Sequence, residues 1–174
     1  AYHSSSVETM IANIKGIKVA YPSSGADLKG ILKAAYHDPN PVVIFEHKGL
    51  YWSKVPGTLA AKTVEPAEDY ILPLGKARLV QESSQACVEE GQALTIITYG
   101  MGVHWALNAA KEFGEKAEIV DLRTLNPLDK ETIFNSVRKN NRCLVLTEDC
   151  LENSFARNLA GLIQEACFTS LDAP

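Results

Sequence analysis

The sequence of 174 residues has no long apolar segment, no clustered basic stretch and no paired metal-ligand motif. No apolar run approaches the roughly 18 to 20 residues that cross a bilayer, and the first residues lack the features of a signal peptide. A net charge of −4 without a basic stripe argues against nucleic-acid binding, which needs clustered lysine and arginine. The sequence therefore predicts neither a membrane protein nor a nucleic-acid binder.

The cysteine pattern excludes the common zinc motifs. Cys87, Cys143, Cys150 and Cys167 form no C-x-x-C pair, and no histidines recur at zinc-ligand spacing. Reduced thiols of a cytoplasmic protein are expected. A hydrophobic fraction of 46% is sufficient for a packed core. Because the chain begins without Met, we also expect a fragment of a longer protein.

Strand and helix patterns alternate along the chain, which predicts α/β units with mostly parallel sheets. Ser5 and Glu8 resemble a capping box for a first helix, and the apolar run 42–45 is typical of a strand buried on both faces. Periodicity disappears over 53–69, the predicted linker, while 70–80 is predicted as extended and 81–91 as a polar turn. The remaining predicted strands are 17–21, 94–99, 117–122 and 143–146, and the remaining predicted helices follow Ser24, Gly102, Asp129 and Ser154.

The turn Gly100-Met101-Gly102 has part of a dinucleotide-binding pattern. It lies between a predicted strand and a predicted helix, and Asp121 follows at about the expected spacing. Trp105 occupies the position of the third glycine, where the helix must pack closely. A structural turn is therefore favoured over a nucleotide site.

Two other places offer site chemistry. His3 is surrounded by small polar residues, where an imidazole could donate hydrogen bonds or transfer protons. Asp38 and Asn40, with the carbonyls of Ala35 and Tyr36 at the end of a predicted helix, supply the oxygen ligands that group I and II cations prefer. The alternative for this second place is an ordinary Asx-Pro turn.

Several segments together resemble the beta chain of thiamine-diphosphate-dependent 2-oxo acid dehydrogenases, and they follow one order over nearly the whole sequence. The segments are Tyr2-His3-Ser4-Ser5, Gly16-Ile17-Lys18-Val19, Asp27-Leu28-Lys29-Gly30, Asp38-Pro39-Asn40-Pro41-Val42, Phe45-Glu46, Pro73-Leu74-Gly75-Lys76-Ala77, the stretch 118–129 and the stretch 167–174.

This resemblance implies a fold and a domain order. Residues 1–52 would form the C-terminal part of a transketolase-type pyrimidine-binding domain, 53–69 the linker, and 70–174 a transketolase C-terminal-like domain, with three-layer parallel-sheet units.

It also implies an activity, the oxidative decarboxylation of a 2-oxo acid on thiamine diphosphate with acyl transfer to lipoamide. A branched-chain substrate is favoured; pyruvate or acetoin dehydrogenase, a deoxyxylulose-phosphate synthase or transketolase-type enzyme, and a non-enzymatic α/β docking module are the alternatives. The implied partners are an alpha chain or domain in an alpha2-beta2-type assembly and a lipoyl acyltransferase core. The implied location is the cytoplasm, or the mitochondrial matrix in a eukaryote.

The resemblance assigns roles to both candidate places. His3 matches the family's active-site histidine, although Ser5 replaces the family's Gln. Ala35, Tyr36, Asp38 and Asn40 match a structural potassium site. The family's cofactor-activating glutamate lies upstream of His3, and its diphosphate and Mg2+ are held by the alpha partner, so this segment alone is expected to be inactive. Arg123, at a predicted strand end, stays outside the predicted site because a structural ion pair with Asp121 or Asp129 is an equal alternative.

Overall fold

The computed structural model describes residues 6–173. The strands are β1 Lys18–Ala20, β2 Val42–Ile44, β3 Arg78–Gln81, β4 Leu94–Thr98, β5 Ala117–Asp121, β6 Thr124–Asn126 and β7 Cys143–Val145. The α-helices are α1 Glu8–Ala12, α2 Gly25–His37, α3 Gln85–Glu89, α4 Met101–Phe113, α5 Lys130–Asn140 and α6 Phe155–Cys167. No helix in this part of the chain has the length and apolarity needed to cross a membrane.

The strands form two sheets, ordered β2-β1-β6 and β3-β5-β4-β7. β1 and β2 are parallel, as are β4, β5 and β7, whereas β6 and β3 pair antiparallel with their neighbours. The α/β prediction is confirmed, but the sheets are mixed rather than wholly parallel. β6 also joins the second half of the chain to the sheet of the first half.

The larger sheet carries helices on both faces. Successive residues of a strand point to opposite faces. Ile96 and Ile119 accordingly pack with Ala106 of α4, while Ile97 packs on the opposite side among apolar residues of α5 and α6, including Leu159. This arrangement is the three-layer unit that the sequence predicted for the second half.

Three predicted helix starts are confirmed in detail. The side chains of Ser24, Asp129 and Ser154 each accept a hydrogen bond from the backbone N–H three residues later. Such caps satisfy N–H groups that have no partner inside the helix. The predicted capping box at α1 falls partly outside the described residues, because Ser5 is not among them.

Other predictions require correction. Residues 81–91, predicted as a polar turn, contain the short helix α3, and residues 70–80 run into strand β3. The strand β6 was not predicted at all. β2 is half-buried rather than buried on both faces, because it forms the outer edge of its sheet.

Candidate active site

His3, the predicted catalytic residue, lies outside the described residues. The structure begins to describe the chain at residue 6, just before α1. The role of His3 therefore stays a prediction, and the site has to be built from its described surroundings.

Polar side chains gather where the parallel strands end. Tyr99 follows β4, Thr147 and Glu148 lie just beyond β7, and His47 lies just beyond β2. Glu8, the first residue of α1, reaches the same place. We call these five residues the carboxyl-edge cluster. Ligands of open α/β sheets bind outside the carboxyl ends of the strands, which makes this cluster the candidate active site.

A chain of hydrogen bonds links α1 to the larger sheet. The Tyr99 hydroxyl donates to Glu8 Oε1 at 2.9 Å and lies 2.7 Å from Thr147 Oγ1. Because Tyr99 has a single proton to give, Thr147 must be the donor in the second bond. Burial raises the pKa of the Glu8 carboxyl, and it also raises the pKa of the Tyr99 phenol. The phenol therefore stays protonated and acts as a donor at neutral pH.

His47 has a defined tautomer in this arrangement. Its Nδ1 accepts the Gly49 N–H at 3.1 Å, and its Nε2 lies 3.1 Å from Glu148 Oε2. Nδ1 must therefore carry no proton, so Nε2–H donates to the carboxylate. This pair joins the end of β2 to the end of β7 and thus bridges the two halves of the chain.

His47 is the residue of the cluster that lines a cleft of about 420 Å³. Glu46, Tyr51, Lys62 and Thr63 are among its other lining residues. The Tyr51 hydroxyl donates to the Glu46 carboxylate. The cleft is large enough for a small molecule.

A second polar group, buried between the two halves, contains two aspartates and two arginines. Arg123 Nη2 lies 2.8 Å from Asp27 Oδ1, while Arg78 Nη2 lies 3.5 Å from Asp27 Oδ2 and 3.8 Å from Asp121 Oδ2. Ser23 Oγ donates to Asp121 Oδ2 at 2.5 Å. We call these five residues the inter-unit charge cluster. Arg123 therefore forms a structural ion pair with Asp27. Its side chain pairs with neither Asp121 nor Asp129, the two partners considered from the sequence.

The charge cluster continues into α4 through His104. This residue is 2% exposed, and its Nε2 lies 2.8 Å from the Ser23 carbonyl oxygen. The carbonyl can only accept, so Nε2 carries the proton. His104 is therefore a packing and hydrogen-bonding residue between the two halves of the chain.

The glycine turn before α4 is a packing device. A Cβ at Gly102 would come within 2.0 Å of Thr98 Oγ1, and one at Gly100 within 2.9 Å of the Tyr21 ring. Close helix–strand packing therefore occurs at Gly102, whereas Trp105 is 41% exposed and lies away from the strand. The glycines thus favour a structural turn over a nucleotide site. The prediction that Trp105 occupies the point of close helix packing was wrong, because Gly102 occupies it.

The predicted cation ligands lie together at the end of α2. The Ala35 carbonyl accepts the Asp38 N–H at 3.2 Å, and Asp38 Oδ1 accepts from the Asn40 N–H at 2.9 Å and from its side-chain amide at 3.1 Å. Lys18 Nζ lies 2.5 Å from Asp38 Oδ2 and is the main reason why the pKa of Asp38 is lowered. The oxygen donors suit potassium, but a cation would have to share Asp38 with the Lys18 ammonium.

Clusters of metal-binding side chains are absent from the part of the chain that the structure describes. Among residues 6–173, no three His, Cys, Asp or Glu side chains come together as a metal-binding group. The carboxyl-edge cluster itself is acidic, since Glu8 and Glu148 lie there and Asp149 is next to them. Such a site disfavours a diphosphate anion.

Sequence reasoning missed the carboxyl-edge cluster, although one signal was present. Tyr99, Thr147, Glu148 and His47 all stand within three residues of the end of a strand. Polar residues directly after parallel strands indicate a site at that sheet edge. Glu8 gave no comparable signal, because its partner Tyr99 is 91 positions away.

Comparisons with known proteins identify both halves of the chain. The family model described as "Transketolase, pyrimidine binding domain" matches residues 1–53, and "Transketolase, C-terminal domain" matches residues 84–174. A solved structure titled "Split gene transketolase, inactive beta4 tetramer" covers 99% of this chain and 50% of its own, with a TM-score of 0.68 and 19% identity, which shows the fold.

Two curated relatives come from Bacillus subtilis (strain 168). The 2-oxoisovalerate dehydrogenase subunit beta is 44% identical over 176 residues, and the pyruvate dehydrogenase E1 component subunit beta is 41% identical over 175. Each match covers 99% of this chain and 49% of the relative. The chain thus spans about half the length of the curated relatives it matches.

Proposed function

Because the chain belongs to the transketolase family, we propose that it forms part of the beta subunit of a thiamine-diphosphate-dependent 2-oxo acid dehydrogenase. The observation that carries the proposal is the similarity along 99% of the chain to beta subunits with that activity in their names. The carboxyl-edge cluster supports it, because the cluster lies at the sheet edge where α/β enzymes bind ligands.

The proposed reaction converts a 2-oxo acid and an oxidised lipoyl group into CO2 and an acyl-dihydrolipoyl group. We propose a branched-chain 2-oxo acid as the substrate. Pyruvate is the second candidate, because a pyruvate dehydrogenase beta subunit is 41% identical to the chain while the 2-oxoisovalerate relative is 44% identical. An assay of the assembled enzyme with 2-oxoisovalerate, pyruvate and acetoin tests this choice. A kcat/KM highest for pyruvate or acetoin would overturn the branched-chain proposal.

Thiamine diphosphate, when bound, supplies the carbanion chemistry of decarboxylation. We propose that an alpha partner holds its diphosphate and Mg2+. The carboxylates of the carboxyl-edge cluster would repel the negatively charged diphosphate. The chain alone is accordingly proposed to be inactive. Purified chain that turned over a 2-oxo acid without alpha partner would contradict this division of roles.

We propose that the protein works in the cytoplasm or a mitochondrial matrix. We also propose that His3 is the catalytic residue that assists acyl transfer to the lipoyl group. A histidine can hydrogen-bond a substrate or transfer a proton near neutral pH. In the assembled alpha–beta enzyme, His3→Ala should lower the rate of lipoyl acylation by about 100-fold, within the range of general acid–base catalysis. His37→Ala, at an exposed helix end, is the matched control. Normal acylation by the His3 variant would refute the assignment.

We also propose that potassium binds at the end of α2 through the carbonyls of Ala35 and Tyr36 and through Asp38 and Asn40. These residues supply several oxygen ligands close together at the helix end. The Lys18 ammonium competes with the cation for the Asp38 carboxylate. The melting temperature of the assembled protein should be higher in potassium chloride than in tetramethylammonium chloride. Asp38→Ala should remove this difference; a wild-type protein that melts equally in both salts would exclude the site.

A further inference from the structure

Lys18 is held beside the turn that follows α2 by the pairing of two strands. It is the first residue of β1, its backbone N–H donates to the Pro41 carbonyl at 2.9 Å, and it pairs in register with Val42 of β2. Its Nζ lies 2.5 Å from Asp38 Oδ2. The strand register therefore brings an ammonium group to the carboxylate that the proposed potassium site would use.

The two oxygens of the Asp38 carboxylate are not equally available to an ion. Oδ1 accepts from the Asn40 backbone N–H at 2.9 Å and from its side-chain amide at 3.1 Å, so both of its lone pairs are used. Within residues 6–173, Lys18 Nζ is the donor to Oδ2, which keeps one lone pair. A cation that takes the Asp38 side chain as a ligand must therefore bind Oδ2, where it meets the positive charge of Lys18.

We propose that Lys18 is a built-in substitute for potassium: its ammonium and the ion occupy Asp38 Oδ2 in turn, and Lys18 thereby sets the affinity of the site. This inference rests on the proposed potassium site and names the residue that regulates it. Without potassium, the ammonium neutralises Asp38 and stabilises the end of α2. When potassium binds, the ion takes over this role and the Lys18 side chain, already 30% exposed, moves its charge into water.

The test measures how much potassium stabilises the assembled alpha–beta protein with and without the ammonium. Melting temperatures are recorded in mixtures of potassium chloride and tetramethylammonium chloride at constant total concentration, so that charge screening does not change. Lys18→Met keeps a long apolar side chain and removes the charge. The potassium concentration that gives half of the stabilisation should be about tenfold lower in Lys18→Met than in the wild type, as expected when one competing bond between charged groups is removed. An unchanged concentration would overturn the proposal.

Rescue by potassium excludes a merely structural ion pair. In tetramethylammonium chloride, Lys18→Met should melt below the wild type, because the Asp38 carboxylate, only 12% exposed, has lost its cationic partner. In saturating potassium chloride the ion replaces that partner, and the difference should close. Lys29→Met is the matched control, since Lys29 pairs with Glu65 elsewhere on α2 and its loss should be the same in both salts. An equal loss in both salts for Lys18→Met would also overturn the proposal.

Failure of this inference is distinguishable from failure of the potassium site. If neither the wild type nor Lys18→Met responds to potassium, no ion binds and both proposals fail. If both respond at the same concentration, potassium binds and only the role of Lys18 is refuted. If Lys18→Met alone responds, the ammonium excludes the ion from the wild type, which supports the substitution and refutes potassium binding by the unchanged chain. If Lys18→Met does not assemble, Lys18→Gln, which keeps an N–H donor without the charge, replaces it under the same criteria.

Discussion

Replacing Asp121 with asparagine should change how the stability of the protein depends on pH. Asp121 is fully buried, and its pKa is raised from 3.8 to about 6 by burial, with a further contribution from the charge of Asp27. The Ser23 hydroxyl, the Arg78 guanidinium and the Arg123 N–H act in the opposite direction. His104 on α4 reaches the same place through the Ser23 carbonyl but makes no bond to Asp121 itself.

The sign of the effect follows from the two pKa values. Between pH 3.8 and about 6 the unfolded chain releases the Asp121 proton, whereas the folded chain retains it. Since the folded state then binds more protons, the free energy of unfolding falls as pH rises through this range. The difference between the unfolded and folded pKa values corresponds to a loss of about 3 kcal/mol in the free energy of unfolding, which is nearly complete by about pH 7. Asp121→Asn cannot ionise and should not show this loss.

Urea denaturation at intervals from pH 4 to pH 8 measures the effect. The wild-type protein should lose about 2 kcal/mol relative to Asp121→Asn between pH 4 and pH 7, and the two curves should run parallel above that. Asp69→Asn, at an exposed position, is the control and should follow the wild-type curve. Parallel wild-type and Asp121→Asn curves over the whole range would show that the carboxyl is not held protonated by burial.

The remaining predictions concern packing and the inter-unit charge cluster. Gly102→Ala should destabilise the protein by about 1 to 3 kcal/mol, because the new Cβ would lie 2.0 Å from Thr98 Oγ1. Gly161→Ala, also inside a helix but with nothing within 4 Å of its Cβ, should stabilise it by about 1 kcal/mol; equal effects of the two substitutions in urea denaturation would contradict the packing role. Arg123→Ala should cost about 3 kcal/mol because it removes the closest partner of the buried Asp27 carboxylate, and a loss below 1 kcal/mol would show that Arg78 alone suffices.

The parts of the fold that sequence predicted well depend on local chemistry. The helices after Ser24, Asp129 and Ser154 begin where expected, because a cap involves only a side chain and an N–H three residues later. β6 was missed for the opposite reason. It has three residues, and only its antiparallel pairing with β1, more than 100 positions away, makes it a strand.

The candidate site residues show the same contrast between local and long-range interactions. Asp38 and Asn40 were predicted as candidate ligands because they supply oxygen donors close together after a predicted helix, and in the structure they bond to each other. The Arg123–Asp27 pair joins residues 96 positions apart, so no local pattern could indicate it. The sequence placed Arg123 near Asp121 and Asp129, but its ion-pair partner lies on α2. His3 was a candidate because of its polar surroundings, the resemblance gave it a catalytic role, and that role stays a prediction.

The most direct test of the proposed function is the formation of acylated lipoyl domain by the assembled alpha–beta enzyme. The enzyme that contains this chain is incubated with 2-oxoisovalerate, a lipoyl domain and Mg2+, with and without thiamine diphosphate, and the lipoyl domain is weighed by mass spectrometry. We predict that the acyl mass appears only with thiamine diphosphate, together with an equal amount of CO2. If no 2-oxo acid tested gives acylated lipoyl domain while the alpha and beta subunits remain associated, the chain is a docking module rather than part of a dehydrogenase.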